Sequence, residues 1–197
     1  MLLYHSITVL ATGLGAASAL TRHAVCSESP KLICYGDNGS SDAAAGAGGS
    51  KDVDLEHVRF VAAYLRWLGE ANDGAAKFWT MARADDCAEW TLPVPDGGMV
   101  LALAKHTSPW LTSSVLYEDM ATAIDGDKGL LSCGKQGGQV GVAANLKNPM
   151  YDTDEYKKSG AKPEGILLKL VKAPPPKRWA ESRGALSDDG DQICEMI

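Results

Sequence analysis

The first nineteen residues indicate the cellular compartment in which the rest of this chain folds. An apolar run from Leu2 to Leu14 is followed by Ala-Ser-Ala at 17–19, the small-residue pattern that signal peptidase reads. The run is too short for a membrane-spanning helix. Residues 1–19 are therefore predicted to be a cleaved secretory signal peptide, and the mature chain is expected to begin near Leu20. We expect a secreted, extracellular protein with no stable membrane span after cleavage.

Cysteines in an oxidising secretory pathway are expected to form disulfides. The sequence contains Cys26, Cys34, Cys87, Cys133 and Cys194. Because no two of them form a Cys-x-x-Cys pair, neither a zinc site nor any other metal or cofactor site is predicted. We predict bonds between Cys87 and Cys133, which flank predicted core strands, and between Cys26 and Cys34 by default. The alternative is that Cys194 bonds Cys26 and ties the two ends of the chain together.

The composition is that of one globular domain with an acidic surface. The chain has 197 residues, of which 45% are hydrophobic and 22% are charged, and its formal net charge is −6. An acidic chain with no basic stripe is a poor partner for nucleic acid, where Lys and Arg neutralise phosphate. The same argument disfavours an anionic membrane surface.

The chain divides into four segments by composition. After the signal peptide, residues 20–51 hold an N-terminal cysteine segment and a flexible Gly/Ala/Ser linker, in which Asn38 begins an N-glycosylation sequon. Residues 52–173 form the folded domain. Residues 174–197 are Pro-rich and then acidic, and are expected to be disordered or removed.

The pair Lys177-Arg178 in this tail is a predicted processing site. Cleavage after Arg178 would remove Cys194 and leave four cysteines, which can form two disulfides.

The domain is predicted to be α+β, a two-layer sandwich of a largely antiparallel sheet with two main helices. The first helix begins at Asp52 or Asp54 and ends between Gly69 and Gly74; it is so apolar that we expect it to be covered on more than one side. The second helix is predicted to be capped by Ser113 or Ser114 and to end at Gly126. Apolar strands are predicted at 78–82, 90–94, 99–104, 139–144 and 165–171, the second and third forming a hairpin.

No catalytic motif accompanies the histidines, so no catalytic residue is predicted. His57 or His106 could pair with Cys133 or a serine in nucleophilic catalysis, but a packing role is the stronger interpretation. Aromatic residues at turns and edges can anchor a partner or stack on a sugar. The candidate partner contacts of this kind are Trp79, Trp90 and Trp110.

Several short strings of the sequence are familiar in combination. They are LICYG (32–36), CAEW (87–90), AKH (104–106), VLYED (115–119), IDG (124–126) and CG (133–134). On these strings the chain resembles small secreted, cysteine-containing proteins of filamentous fungi that are classed as candidate effectors. The resemblance spans residues 32–173 and implies secretion and interaction with a host or competitor; it transfers no catalytic residue.

The function predicted from these observations is that of a secreted, non-enzymatic effector-like protein. It would bind an extracellular host or competitor protein, with inhibition of a defence hydrolase as one form of that activity. The alternatives are a small extracellular hydrolase that uses His106 with a carboxylate, and a cell-wall or sugar-binding module.

Overall fold

The computed structural model describes residues 28–36, 51–84, 87–95 and 99–174. These contain seven strands and three α-helices. The strands are β1 (Ile33–Cys34), β2 (Phe78–Met81), β3 (Glu89–Thr91), β4 (Val100–His106), β5 (Ser113–Leu116), β6 (Gly138–Gly141) and β7 (Ile166–Lys172). The helices are α1 (Leu55–Ala71), α2 (Tyr117–Asp125) and α3 (Asp154–Ser159), and short 3-10 turns lie at Gly74–Lys77, Leu130–Gln136 and Pro149–Asp152.

Several sequence predictions lie outside the described residues. They are the signal peptide, Cys26, Asn38, the processing site at Lys177 and Arg178, and Cys194.

The fold is α+β, with an antiparallel five-stranded sheet in the order β1-β6-β7-β4-β3 and a two-stranded sheet formed by β2 and β5. The strands β4 and β7 pair along their whole length, from Val100 opposite Lys172 to His106 opposite Ile166. The predicted hairpin is confirmed, because Trp90 in β3 lies opposite Ala104 in β4. The strand β3 is an edge strand, in agreement with Pro93 two residues beyond its end at Thr91.

The two longer helices cover one face of the large sheet. Asp54 caps α1, because its carboxylate accepts a hydrogen bond from the backbone N–H of His57 at 2.7 Å. Val61 and Leu65 of α1 pack in the core with alternate residues of β4 and β7. Arg66 joins the two helices through a bidentate ion pair with Asp125, with N–O distances of 2.5 and 2.6 Å.

The predicted start of the second helix is wrong, and its predicted end is confirmed. Ser113 and Ser114 are buried in β5 instead of capping a helix, and the Ser114 hydroxyl lies 2.7 Å from that of Thr80 in β2. Pairing with β2 supplies partners for the backbone that a helical turn would otherwise satisfy internally. Helix α2 begins at Tyr117 and is capped at Gly126, whose N–H donates to the carbonyl of Thr122.

A disulfide joins Cys34 in β1 to Cys133, with 5.2 Å between their Cα atoms and 99 residues between them in sequence. Cys87 is also disulfide-bonded. The predicted pairing of Cys87 with Cys133 is therefore wrong, and so is that of Cys26 with Cys34. The reason is that β1 pairs with β6, which brings Cys34 to the segment just before that strand.

The opposite face of the large sheet carries a buried cluster of charges. The amines of Lys105 and Lys169 both contact the Glu28 carboxylate, and Lys169 also lies 2.5 Å from the carboxylate of Glu89. Beside them the Tyr35 hydroxyl donates to the side-chain oxygen of Gln139 at 3.2 Å. Segment 28–36 is thus fixed over this face by ion pairs as well as by the disulfide.

Burial and these contacts change the pKa values of Tyr35 and Lys169. Burial raises the pKa of the Tyr35 hydroxyl, and the nearby charges of Glu28 and Glu89 raise it further. For Lys169, burial lowers the pKa of the amine, but hydrogen bonds and attraction to Glu28 and Glu89 outweigh it and leave the pKa raised. Both groups therefore keep their protons in the folded chain at a pH where the unfolded chain loses them.

We expect the protein to lose stability in alkali. The contribution of Lys169 to stability is complete below its ordinary pKa of 10.5 and is lost as the pH rises through its folded pKa. Above pH 10.0, Tyr35 ionises in the unfolded chain but stays neutral in the folded chain, so it increasingly favours unfolding. Urea titrations at increasing pH should show the free energy of unfolding fall by on the order of 1 kcal/mol per pH unit once the pH exceeds 10.0. A constant or rising value there would contradict the prediction.

Candidate functional site

The first helix carries a continuous line of four aromatic side chains, His57, Phe60, Tyr64 and Trp67, which we call the aromatic row. Their spacing of three, four and three residues places them along one side of a helix. Adjacent ring centroids are 5.4, 5.8 and 5.1 Å apart, so each ring contacts the next.

The row is open to solvent at its centre and at its C-terminal end. Phe60 is 42% exposed and Trp67 is 53% exposed, whereas Val61 and Leu65 on the opposite side of α1 are buried. The sheet and α2 cover two sides of this helix, as expected, but they leave these two rings exposed. Large exposed apolar side chains that lie together mark interaction surfaces more often than isolated ones do.

The charged side chains beside the row are already engaged. Arg59 forms an ion pair with Glu56 at 2.5 Å, and Arg66 binds Asp125. Because these charges satisfy one another, the row presents an apolar surface with a polar border. That arrangement matches the apolar centre and polar rim of protein-protein interfaces.

The three tryptophans predicted as partner contacts do not form one surface. Trp79 is half-buried against the core, and its ring makes an edge contact with that of Trp90, with 6.4 Å between centroids. Trp90 is 38% exposed on the edge strand β3, and Trp110 is 59% exposed in a turn. Trp90 and Trp110 are thus accessible, but Trp79 is mainly a packing residue.

The structure gives the surroundings of His106 and Cys133. His106 is buried, and its Nε2 lies 2.9 Å from the carbonyl oxygen of Ala82. Cys133 is consumed in its disulfide, so it is not a free thiol for either histidine. Within the described ranges, His, Cys, Asp and Glu side chains form no group of three that could hold a metal ion.

None of the helices in the described part of the chain has the length and apolar content to cross a membrane.

The sequence predicted a strongly apolar first helix but not the joint exposure of Phe60 and Trp67. The spacing from His57 to Trp67 is visible in the sequence and widens the apolar arc of the helix. Which part of that arc faces the core depends on where the sheet and α2 lie, and only the structure gives this.

Comparisons with known proteins identified no relative of this chain. No protein-family model matches the chain, and no curated protein or solved structure matches it.

Proposed function

We propose that this is a secreted, non-enzymatic, effector-like protein that binds an extracellular host or competitor protein through the aromatic row of α1. The supporting observation is the row itself: four rings in mutual contact, with Phe60 and Trp67 exposed beside charges that are already paired. Aromatic residues are enriched among the side chains that dominate binding energy at protein interfaces. Inhibition of a defence hydrolase is one activity that such binding would produce.

The shape of the row favours a protein partner over a sugar. Neighbouring ring planes are inclined to each other by 51°, 36° and 40°, so the rings do not share one flat platform. An uneven apolar ridge is suited to insertion between side chains of a protein partner, which would be desolvated around it.

The proposal is tested with a double variant of the row. We expect Phe60→Ala with Trp67→Ala to weaken capture of the partner from host extracellular fluid by roughly thirtyfold, equivalent to about 2 kcal/mol for the loss of two interface anchors. The retained protein should be identified by mass spectrometry, and its affinity for both forms of the chain measured with the purified partner.

The matched control is Leu146→Ala, which removes an exposed apolar side chain that is not part of the row. Both variants should remain folded, and the row variant should lose only a small part of its stability in urea, since Phe60 is 42% exposed and Trp67 is 53% exposed. Equal capture by the row variant and the control would refute the role of the row. Turnover in a broad hydrolase screen that disappears in His106→Ala would support the enzyme alternative instead, and sedimentation with cell-wall polysaccharide would support the sugar-binding one.

A further inference from the structure

A cavity of about 280 Å³ lies between the two-stranded sheet, the turn at Gly74–Lys77 and helix α3. Phe78 forms one wall, and Tyr156 of α3 stacks on it with 4.9 Å between ring centroids and 28° between the ring planes. Tyr151 supports both rings from behind through edge contacts at 5.5 and 5.1 Å. The cavity is therefore aromatic, preformed and smaller than a typical drug-sized site.

Three polar side chains of the walls are engaged in hydrogen bonds within the protein. The Tyr156 hydroxyl donates to the backbone carbonyl of Ser114 at 2.9 Å, and the side chains of Ser114 and Thr80 share a hydrogen bond at 2.7 Å. Burial raises the pKa of Tyr156 to about 12, so its ring is neutral at physiological pH. Since the lining residues include no Lys, Arg or His, the cavity offers an anion no cationic partner.

One lining residue is charged, and it is acidic. Glu155, in the first turn of α3, is exposed, and its carboxylate leans over Gly74, where an added Cβ would lie 2.9 Å from Oε2. Glycine at this position, with φ of +53°, thus leaves room for the carboxylate at the cavity. Lys157 on the same helix is engaged elsewhere, at 2.7 Å from Asp152.

We propose that this cavity binds a small organic amine, whose apolar body packs against the stacked rings of Phe78 and Tyr156 and whose ammonium group pairs with Glu155. The ligand chemistry follows from charge complementarity, because the cavity joins an apolar interior to a single carboxylate. The formal net charge of −6 on the chain favours the approach of a cation in addition. This inference is independent of the protein-binding function proposed for α1.

The test compares two probes of nearly the same shape, phenethylammonium and its neutral analogue 2-phenylethanol. In a titration followed by amide NMR, we expect saturable shifts at Phe78 and Tyr156 with both probes, and about fivefold tighter binding of the ammonium, as for a partly exposed ion pair. Glu155→Gln should abolish this preference while leaving the affinity for the alcohol unchanged. Ala75→Leu, which narrows the cavity, should weaken binding of both probes.

Asp154→Asn is the matched control, because it removes the same charge from the same helical turn at a residue that does not line the cavity. It should retain the preference for the ammonium. The proposal fails if neither probe gives saturable shifts at the cavity. It also fails if the alcohol binds as tightly as the ammonium, or if Asp154→Asn and Glu155→Gln behave alike.

Discussion

Replacing both Cys34 and Cys133 with serine is expected to lower the free energy of unfolding by about 4 kcal/mol. The disulfide closes a loop of 99 residues, and a cross-link over so long a loop removes much conformational entropy from the unfolded chain. Since small domains have a net stability of only about 5–15 kcal/mol, we expect the variant to be partly unfolded at about 37 °C. Urea denaturation followed by tryptophan fluorescence measures the loss.

The single variants Cys34→Ser and Cys133→Ser serve as controls for a free thiol. Each should lose about as much stability as the double variant, because either substitution breaks the same bond. A double variant whose stability falls by less than about 1 kcal/mol would show that the cross-link does not constrain the unfolded chain as proposed.

Glu28→Gln is expected to lower the free energy of unfolding by about 3 kcal/mol. The substitution keeps the size of the side chain but removes the charge that two buried amines share. Lys169 would retain Glu89, whereas Lys105, only 2% exposed, would lose the carboxylate that it contacts. A buried charge left without its partner costs far more than the net contribution of the intact pair.

A double-mutant cycle separates this effect from simple loss of packing. Lys105→Met combined with Glu28→Gln should be more stable than Glu28→Gln alone, because the unpaired amine is gone. Glu56→Gln breaks the exposed pair with Arg59 and should leave the unfolding midpoint nearly unchanged. The explanation is wrong if the Glu28 and Glu56 variants have equal stabilities.

Local signals in the sequence were sufficient for the elements that depend on local chemistry. Asp52 or Asp54 before an apolar periodic run was predicted to start the first helix, and Asp54 is the residue that caps it. The continuous apolar run at 99–104 predicted the strand that the structure places as β4. The helix cap predicted at Ser113 or Ser114 is wrong because serine suits both a helix cap and a buried strand position that offers its hydroxyl a partner. Pairing with β2, some thirty residues earlier, decided between these two roles.

The candidate sites depend on contacts between distant segments. The cavity near Phe78 needs Tyr156, which lies between the strands predicted at 139–144 and 165–171, where no element was predicted. The partner of Cys34 follows from the pairing of β1 with β6, for which the short β1 gives little pattern. Glu28 likewise has no motif around it, and its importance arises from two lysines on strands that are paired with each other.

The order of strands in the large sheet also determines when the protein can fold. The last described strand, β7, lies at the centre of the sheet, between β6 and β4, and the first strand, β1, pairs only with β6. Cys133, which the structure pairs with the thiol of Cys34, follows it by 99 residues, and β6, the described partner of β1, follows later still. The sheet itself closes only after β7 has emerged. Such non-local pairing gives slow folding, and until β7 has emerged, β1 and the apolar residues of β4 stay exposed to oxidants, chaperones and other chains.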